Sequence, residues 1–258
     1  MMHPVPLVAC QACRAEPTLF PFTMAFQPIV DLTYGCIDSH EALVRGPGNE
    51  GAGHVLSQVT PETLYAFDQA CRSRAIELAA RLGLGTRLNI NFLPNAVYEP
   101  AACLRATMLA SRRFGFPAAR LTFEIVETED IADAAHLQRI IGEYRRQGLQ
   151  VALDDFGSGY SGLVRLATLR PDIVKVDREL VQDCDSDQVR LGILASLVSM
   201  GQQAGVKVVF EGVERQAELK ALREIGARFI QGYLFARPVF EGLACEGDIR
   251  APLEAVHA

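Results

Sequence analysis

Residues 154–162 have the sequence Asp154-Asp155-Phe156-Gly157-Ser158-Gly159-Tyr160-Ser161-Gly162. They follow an apolar run, Leu149 to Leu153, that predicts a short buried strand. Two adjacent carboxylates at the end of such a strand repel each other and are poorly solvated, so they are costly unless a cation pairs with them. The glycines permit backbone angles that other residues resist. The stretch therefore predicts a metal or phosphate site at the end of a strand, without naming a reaction.

Strand and helix patterns alternate on both sides of this stretch. The predicted strands are Met24–Val30, Cys36–Val44, Arg87–Phe92, Leu121–Val126, Leu149–Leu153, Ile173–Val176, Val206–Phe210 and Phe229–Leu234. The predicted helices are one that starts at Thr60-Pro61 and stops at Gly83, then Ala101–Phe114, Ile131–Gln147, Ser161–Leu169, Gln188–Ala204 and Gln216–Ile225. Gly46–Ser57 is predicted to be a glycine-rich loop.

This alternation is typical of a closed (β/α)8 barrel in a single domain. An open doubly wound sheet is the alternative, but no G-x-G-x-x-G fingerprint follows the first strand. The chain of 258 residues has 49% hydrophobic residues and a net charge of −6. That charge gives no broad basic surface for a nucleic acid polymer or an anionic membrane. No apolar run reaches the roughly 18 residues that a membrane span requires.

Residues 1–22 are predicted to be an N-terminal lead, and residues 23–258 the barrel domain. The lead contains Cys10 and Cys13 at the spacing of half a zinc site, but the sequence has no second Cys-x-x-Cys pair. The seven cysteines show no disulfide-like framework, and no signal peptide is apparent. We therefore predict a cytoplasmic protein with reduced thiols, and a structural or redox role for the pair is the alternative.

Nearly every predicted strand carries a polar residue at or near its carboxyl end. These residues are Glu41, Asn91, Glu124, Asp154, Asp155, Lys175, Asp177, Glu211 and Gln231. In a parallel barrel such ends meet at one mouth, where barrel active sites lie. Any single glutamate could instead pair with an arginine or face water, and Asn89 shares a strand face with Asn91, so the pattern does not choose between the two asparagines. Lys175 lies between two valines and needs nearby carboxylates.

Oxygen ligands gathered in this way favour Mg²⁺ or Mn²⁺ over zinc. Two ions that share an aspartate can lower the pKa of a bound water and clamp a phosphoryl group, and a nearby lysine can orient that water. Phosphodiester hydrolysis fits this chemistry best. Enolase-like proton abstraction is the competing chemistry of acidic metal barrels, but the adjacent aspartates favour two metals.

The ordered motifs resemble the EAL family of bacterial cyclic-di-GMP phosphodiesterases. The signature is Glu41-Ala42-Leu43-Val44-Arg45-Gly46, and the resemblance extends from about Ala25 to Pro238. The other matching segments are Phe26–Val30, Asn91–Pro94, Phe123–Glu127, Asp154–Gly162, Val174–Arg178, Phe210–Glu214, Gln231–Tyr233 and Arg237-Pro238. The resemblance implies a barrel whose first strand is antiparallel to the others.

The resemblance also implies residue roles. One ion would be held by Glu41, Asn91, Glu124 and Asp154, and a second by Asp154, Asp155 and Glu211. This choice selects Asn91 rather than Asn89. The implied catalytic residues are Glu41, Lys175, Glu211 and Gln231, with Lys175 contacting the attacking water and Gln231 lining the phosphate site. The implied substrate contacts are Gln27, Leu43, Arg45, Asp177 and Pro238. A loop that responds to metal occupancy and dimer contacts would include Glu127, Gly157 and Gly159.

The activity implied by the resemblance is the two-metal hydrolysis of cyclic di-GMP to linear pGpG by a homodimer. A catalytically silent cyclic-di-GMP receptor that signals through a partner protein is the alternative, and a metal-dependent barrel enzyme with another substrate is a third possibility. The sequence departs from the family pattern at Arg215, where threonine is common, and at Gly162, where serine is common. Neither position is an implied metal ligand, so we expect modest effects.

Overall fold

The structure is a computed structural model that describes residues 20–93, 100–126, 134–159 and 162–254. Its strands are β1 (Thr23–Asp31), β2 (Cys36–Arg45), β3 (Arg87–Asn91), β4 (Leu121–Val126), β5 (Gln150–Phe156), β6 (Ile173–Val176), β7 (Lys207–Phe210), β8 (Phe229–Ile230) and β9 (Val239–Phe240). Its helices are α1 (Ala52–Leu56), α2 (Leu64–Arg81), α3 (Pro100–Phe114), α4 (Ala134–Arg146), α5 (Gly162–Leu169), α6 (Arg178–Val181), α7 (Gln188–Ala204), α8 (Gln216–Glu224) and α9 (Glu246–Glu254).

The strands close into a barrel. Strands β2 to β8 pair in sequence order and are parallel to one another. Strand β1 closes the barrel by pairing antiparallel with both β2 and β8, and β9 adds a short antiparallel pairing to β1. The predicted (β/α)8 barrel with an antiparallel first strand is therefore confirmed.

Alternation along each strand separates the two faces of the barrel wall. In β3, Leu88 and Ile90 belong to the apolar core that packs against helices such as α2, whereas Asn89 and Asn91 bond to carboxylates of the barrel interior. The outer core therefore fixes which residues face inward, because a register slip of one residue would bury the asparagines among the helices.

An apolar layer fills the barrel below the polar mouth. Ile29, Ala152, Ile173 and Val209 form a separate buried cluster, with Phe229 packed against it. Each lies two residues from a polar residue of the mouth, on the same strand or directly after its end. These polar residues are Gln27, Asp154, Lys175, Glu211 and Gln231. Since a two-residue step keeps a strand side chain on the same face, this layer forms the dry floor of the polar cluster.

Several predicted element boundaries were wrong. Helix α2 begins at Leu64 rather than at Thr60, because residues 60–63 form a turn in which the Leu64 amide donates to the Thr60 carbonyl. The predicted loop Gly46–Ser57 contains α1. Strand β8 ends at Ile230 because the chain turns at Gly232, where the Phe235 amide donates to the Gly232 carbonyl.

Three further elements were not predicted. They are α6, β9 and α9. No helix within the described ranges combines the length and the apolar character needed to cross a bilayer.

Candidate active site at the barrel mouth

Lys175 is the centre of the mouth. It lies on β6, its side chain is 1% exposed, and its Nζ is within salt-bridge distance of four carboxylates. The distances from Nζ are 3.1 Å to Glu41 Oε2, 3.1 Å to Glu124 Oε2, 3.0 Å to Asp154 Oδ1 and 2.8 Å to Glu211 Oε1. The structure therefore brings together the predicted lysine and carboxylates from β2, β4, β5 and the end of β7.

Side-chain amides hold the glutamates of the mouth in place. Asn91 Nδ2 donates to Glu41 Oε1 at 2.9 Å, and Gln231 Nε2 donates to Glu41 Oε2 at 2.8 Å. Asn89 Nδ2 donates to Glu124 Oε1 at 2.8 Å. Both asparagines therefore reach the mouth, and each donates a hydrogen bond to a different glutamate. Asn89 is a site residue that the role assignment omitted, although the shared strand face was the signal for it.

Burial and the surrounding charges together shift the pKa values of the cluster. Burial, reinforced by the neighbouring carboxylates, raises the pKa of Glu124 and of Glu211 well above the ordinary value. Burial also raises the pKa of Asp154, and the Lys175 ammonium only partly offsets this effect. For Glu41, burial acts to raise the pKa, but Lys175 and the amide donors outweigh it and lower the pKa. Burial opposes the charge on Lys175, yet the surrounding carboxylates raise its pKa well above the ordinary value.

Asp155 reaches the mouth through an irregular backbone. Neighbouring residues of a regular strand point to opposite faces, but Asp155 has φ 53°, and the register of β5 against β6 shifts between Leu153 and Phe156. This bulge lets Asp155 take part in an acidic group with Asp154 and Glu211. Burial, followed by the charges of Asp154 and Asp177, raises the pKa of Asp155 to about 6.

The donor set fits divalent cations. Glu41, Glu124 and Asp154 offer carboxylate oxygens within 4.8 Å of one another, and so do Asp154, Asp155 and Glu211. Asp154 belongs to both groups. Glu124 Oε2 and Asp154 Oδ1 are buried and make no well-aligned hydrogen bond, although both contact the Lys175 ammonium. Such carboxylate oxygens are suitable ligands for Mg²⁺ or Mn²⁺.

A cavity of about 250 Å³ opens beside this cluster. Its lining includes Glu41, Asp155 and Glu211 from the acidic groups. Of the predicted substrate contacts, Gln27 and Asp177 line this cavity. Leu43 lines a separate apolar cavity of about 230 Å³, together with Asn91.

The other predicted residues do not line these two cavities or fall outside the described residues. Arg45 donates to the Val44 carbonyl at 2.8 Å, and neither Arg45 nor Pro238 is among the lining residues of the two cavities. Gly157 is exposed with φ 103°, and a Cβ there would collide with Leu180, so this position requires glycine. Gly159 is half-buried. Cys10, Cys13 and Glu127 fall outside the described residues.

A third acidic group is already paired with a positively charged side chain, Arg215. Asp183, Asp185 and Glu218 could also converge on an ion, but Arg215 Nη2 lies 2.9, 2.5 and 3.1 Å from their carboxylates. Arg215 therefore offsets part of the charge of this group, and the Asp183 side chain is 61% exposed to solvent, whereas the carboxylates that contact Lys175 at the mouth are buried or nearly so.

The fold and the mouth together define a (β/α)8-barrel protein with an acidic site suited to divalent cations. The family model described as the EAL domain matches residues 17–238, so the chain belongs to the EAL domain family. It is 46% identical to a solved standalone versatile EAL protein from Vibrio cholerae O395 in its c-di-GMP-bound form, with a TM-score of 0.85, covering 89% of this chain and 97% of that chain.

Two further relatives carry informative names. The structure of Klebsiella pneumoniae BlrP1 in a manganese/cy-diGMP complex is 34% identical, with a TM-score of 0.83, covering 87% of this chain and 58% of that chain. The cyclic di-GMP phosphodiesterase NbdA of Pseudomonas aeruginosa is 31% identical over 228 residues, covering 83% of this chain and 28% of NbdA. The chain spans 23%, 28% and 26% of the length of the first three curated relatives.

Proposed function

We propose that this chain hydrolyses cyclic di-GMP to linear pGpG, using two Mg²⁺ or Mn²⁺ ions at the barrel mouth. The observation that carries the proposal is that Asp154 belongs to two converging carboxylate groups, as expected for a ligand that bridges two ions. The names of NbdA and of the manganese complex of BlrP1 support the same substrate and metal class.

The ligand assignment follows the two groups. One ion would contact Glu41, Asn91, Glu124 and Asp154, and the other Asp154, Asp155 and Glu211. When bound, the ions would lower the pKa of a water molecule and neutralise charge on the phosphoryl group. In the hydrolysis, a P–O bond forms to the water oxygen and the P–O bond to the ribose 3′ oxygen breaks. The proton that the water loses is balanced by the proton that the 3′ oxygen takes up.

Side chains of the mouth would orient the reactants. The Lys175 ammonium, held between carboxylates at 2.8 to 3.1 Å, can donate a hydrogen bond to the attacking water. Gln231 holds Glu41 and also donates to Gln27 Oε1 at 3.3 Å, so the two glutamines form one polar edge of the cavity. That edge is suited to phosphate and base groups of the substrate.

The remaining assignments are parts of the same proposal. Leu43, Arg45, Asp177 and Pro238 would contact or support the substrate. The loop with Glu127, Gly157 and Gly159 would link metal occupancy to a homodimer interface. Residues 23–258 would form the catalytic domain and 1–22 a lead, in a cytoplasmic protein.

One assay tests the proposal. The purified chain is incubated with cyclic di-GMP in Mg²⁺, in Mn²⁺ or in EDTA, and the nucleotides are resolved by chromatography. We expect pGpG with either metal and none in EDTA, and we expect Glu41→Gln to lose this product. Binding of cyclic di-GMP without any pGpG in either metal would replace the enzyme with the silent receptor. Metal-dependent hydrolysis of other phosphodiesters, without hydrolysis of cyclic di-GMP, would show that the proposed substrate is wrong.

A further inference from the structure

Arg72 is a charged residue buried outside the barrel interior. It lies on α2, its side chain is 0% exposed, and its Nη2 is 2.5 Å from Asp68 Oδ2 one helical turn earlier. Its Nη1 donates to the Tyr144 hydroxyl on α4 at 2.9 Å. The guanidinium therefore joins two helices that pack on the barrel wall, α2 on β3 and α4 on β5.

Two aromatic rings enclose this guanidinium. Arg72 Cζ lies 5.3 Å from the Phe92 ring centroid and 5.2 Å from that of Phe123. The Tyr144 ring packs on both, with centroid distances of 5.5 and 4.9 Å. Cation–π contacts are strongest where water is excluded, as it is here. Because the rings and the ion pair restrict each other, the cluster has little room for alternative arrangements.

Both rings are sequence neighbours of mouth residues. Phe92 follows Asn91, which donates to Glu41, and Phe123 precedes Glu124, which contacts Lys175. Neighbouring strand residues point to opposite faces, so an outward ring and an inward ligand share one piece of backbone. The ring positions therefore determine the inward direction of Asn91 and Glu124.

A backbone contact strengthens this link. Asp68 Oδ1 accepts a hydrogen bond from the Leu93 amide at 3.1 Å, two residues after Asn91. The Asp68 carboxylate thus fastens the chain directly after β3 while it pairs with Arg72. Since the Phe92 amide donates to the Glu124 carbonyl, the ends of β3 and β4 are held as one unit.

Stability alone does not account for this cluster. Burying an ion pair removes two charges from water, and apolar side chains of similar volume often stabilise a fold at least as well. An apolar cluster would, however, lack the directional bonds that join Asp68 to Leu93 and Arg72 to Tyr144. The ionic cluster therefore differs from an apolar one in that its directional hydrogen bonds fix the positions of the Leu93 amide and of the Tyr144 side chain.

We infer that Arg72, Asp68 and Tyr144 form a positioning network that fixes the ends of β3 and β4 and thereby sets how Asn91 and Glu124 receive a divalent cation. The inference rests on the proposed cation site. The three residues touch neither ion nor substrate, so they act only through the strand ends. Their effect is therefore on cation affinity, with the substrate KM at saturating cation unchanged.

The experiment compares two variants of the network with one control in the full chain. Tyr144→Phe removes a single hydroxyl and leaves the ion pair, whereas Arg72→Met removes the charge. The control is Arg228→Met at the opposite end of the barrel, where Arg228 pairs with Asp31 at 2.7 Å. Mn²⁺ affinity is measured from free Mn²⁺ by electron paramagnetic resonance, folding by thermal unfolding, and kcat and KM at saturating Mn²⁺.

We expect the Kd for Mn²⁺ to rise about tenfold in Arg72→Met, the low end for loss of a residue that orients metal ligands, and less in Tyr144→Phe. Arg228→Met should lose stability while keeping the wild-type Kd. Wild-type affinity in folded Tyr144→Phe and Arg72→Met overturns the inference, as does a wild-type chain that binds no Mn²⁺. If Arg72→Met does not fold, Tyr144→Phe decides alone. A wild-type chain that forms no pGpG contradicts only the proposed function, since Mn²⁺ affinity is measured without substrate.

Discussion

Among the residues that the structure describes, two positively charged side chains are buried, Lys175 and Arg72, and their surroundings differ in charge balance. Lys175 is surrounded by four carboxylates within 3.1 Å, whereas Arg72 is paired with one carboxylate and enclosed by aromatic rings. In the cluster around Lys175, burial and mutual repulsion raise the pKa of two glutamates. The cluster around Arg72 needs no further charge to be neutral.

This difference distinguishes a cluster that binds cations, around Lys175, from a cluster that only supports the fold, around Arg72. A buried cluster with excess negative charge is unfavourable as pure structure, and added cations would relieve it. A cluster whose charges are already balanced, such as Arg72 with Asp68, would not be stabilised by an added cation. Excess negative charge that is also buried, rather than burial or the number of ion pairs alone, therefore identifies the binding site. Substitutions in these clusters test this criterion.

The largest expected effect is that of Asp154→Asn on turnover. The change removes charge from a ligand shared by both acidic groups, so we expect a loss of about 10³-fold or more, equivalent to about 4 kcal/mol. Chromatographic detection of pGpG measures it. Asp172→Asn, which precedes β6 at the opposite end of the barrel, is the matched control and should remain active. Retention of a tenth of wild-type turnover by Asp154→Asn would contradict the bridging role.

Lys175→Met should have the next largest effect, on stability without cations. It leaves the carboxylates of the mouth without a counter-charge, so we expect a loss of about 3 kcal/mol in the free energy of unfolding in EDTA. Urea unfolding measures this. Because the lysine competes with bound cations, Mn²⁺ should stabilise Lys175→Met more than the wild type. Arg72→Met, the matched change in the balanced cluster, should show no such extra stabilisation, and an equal response of both variants would remove the distinction.

How much of the fold was predictable depends on the strength of local patterns. The barrel strands are apolar segments with regular spacing, and β4 and β6 have their predicted bounds. The antiparallel β1 came from the family resemblance alone. The two-residue β9 was missed because so short a strand has no periodicity, and α1 because glycines surround its five residues.

The site was predictable where strand ends carry single polar residues, as at Glu41, Glu124 and Lys175. Asp155 is different, because two adjacent strand residues face the same mouth only through the bulge and the positive φ. Arg72 was missed for another reason. An Asp and an Arg four residues apart on a helix usually lie on the solvent face, whereas here Asp68 and Arg72 lie on the buried face with Ala75.

A smaller effect is expected in the pH dependence of the cation-free protein. The pKa of Asp155 is about 6 when folded, above its ordinary 3.8, so the folded state binds more protons between these values. Stability should therefore fall as pH rises from about 4 to about 6, by about 1–2 kcal/mol after allowance for solvent screening. Urea unfolding of the wild type against Asp155→Asn isolates this contribution, since the other carboxylates are common to both. Excess Mn²⁺ should reverse the slope, and identical slopes in EDTA would reject the raised pKa.

The smallest expected effect is that of Arg215→Thr, which restores the residue common in the family. Arg215 pairs with Asp183, Asp185 and Glu218, but its side chain is 44% exposed, and exposed ion pairs contribute about 0–1 kcal/mol. Glu218 keeps three backbone donors after the change, from Asp183, Glu214 and Arg215. We therefore expect a loss of at most about 1 kcal/mol by urea unfolding and turnover within about twofold of the wild type. Arg215→Lys is the matched control for charge, and it should behave like the wild type. A tenfold loss of turnover in Arg215→Thr would show that this partly exposed cluster controls Glu211 through the loop before α8. Buried excess charge would then no longer distinguish the metal site from other acidic clusters of the fold.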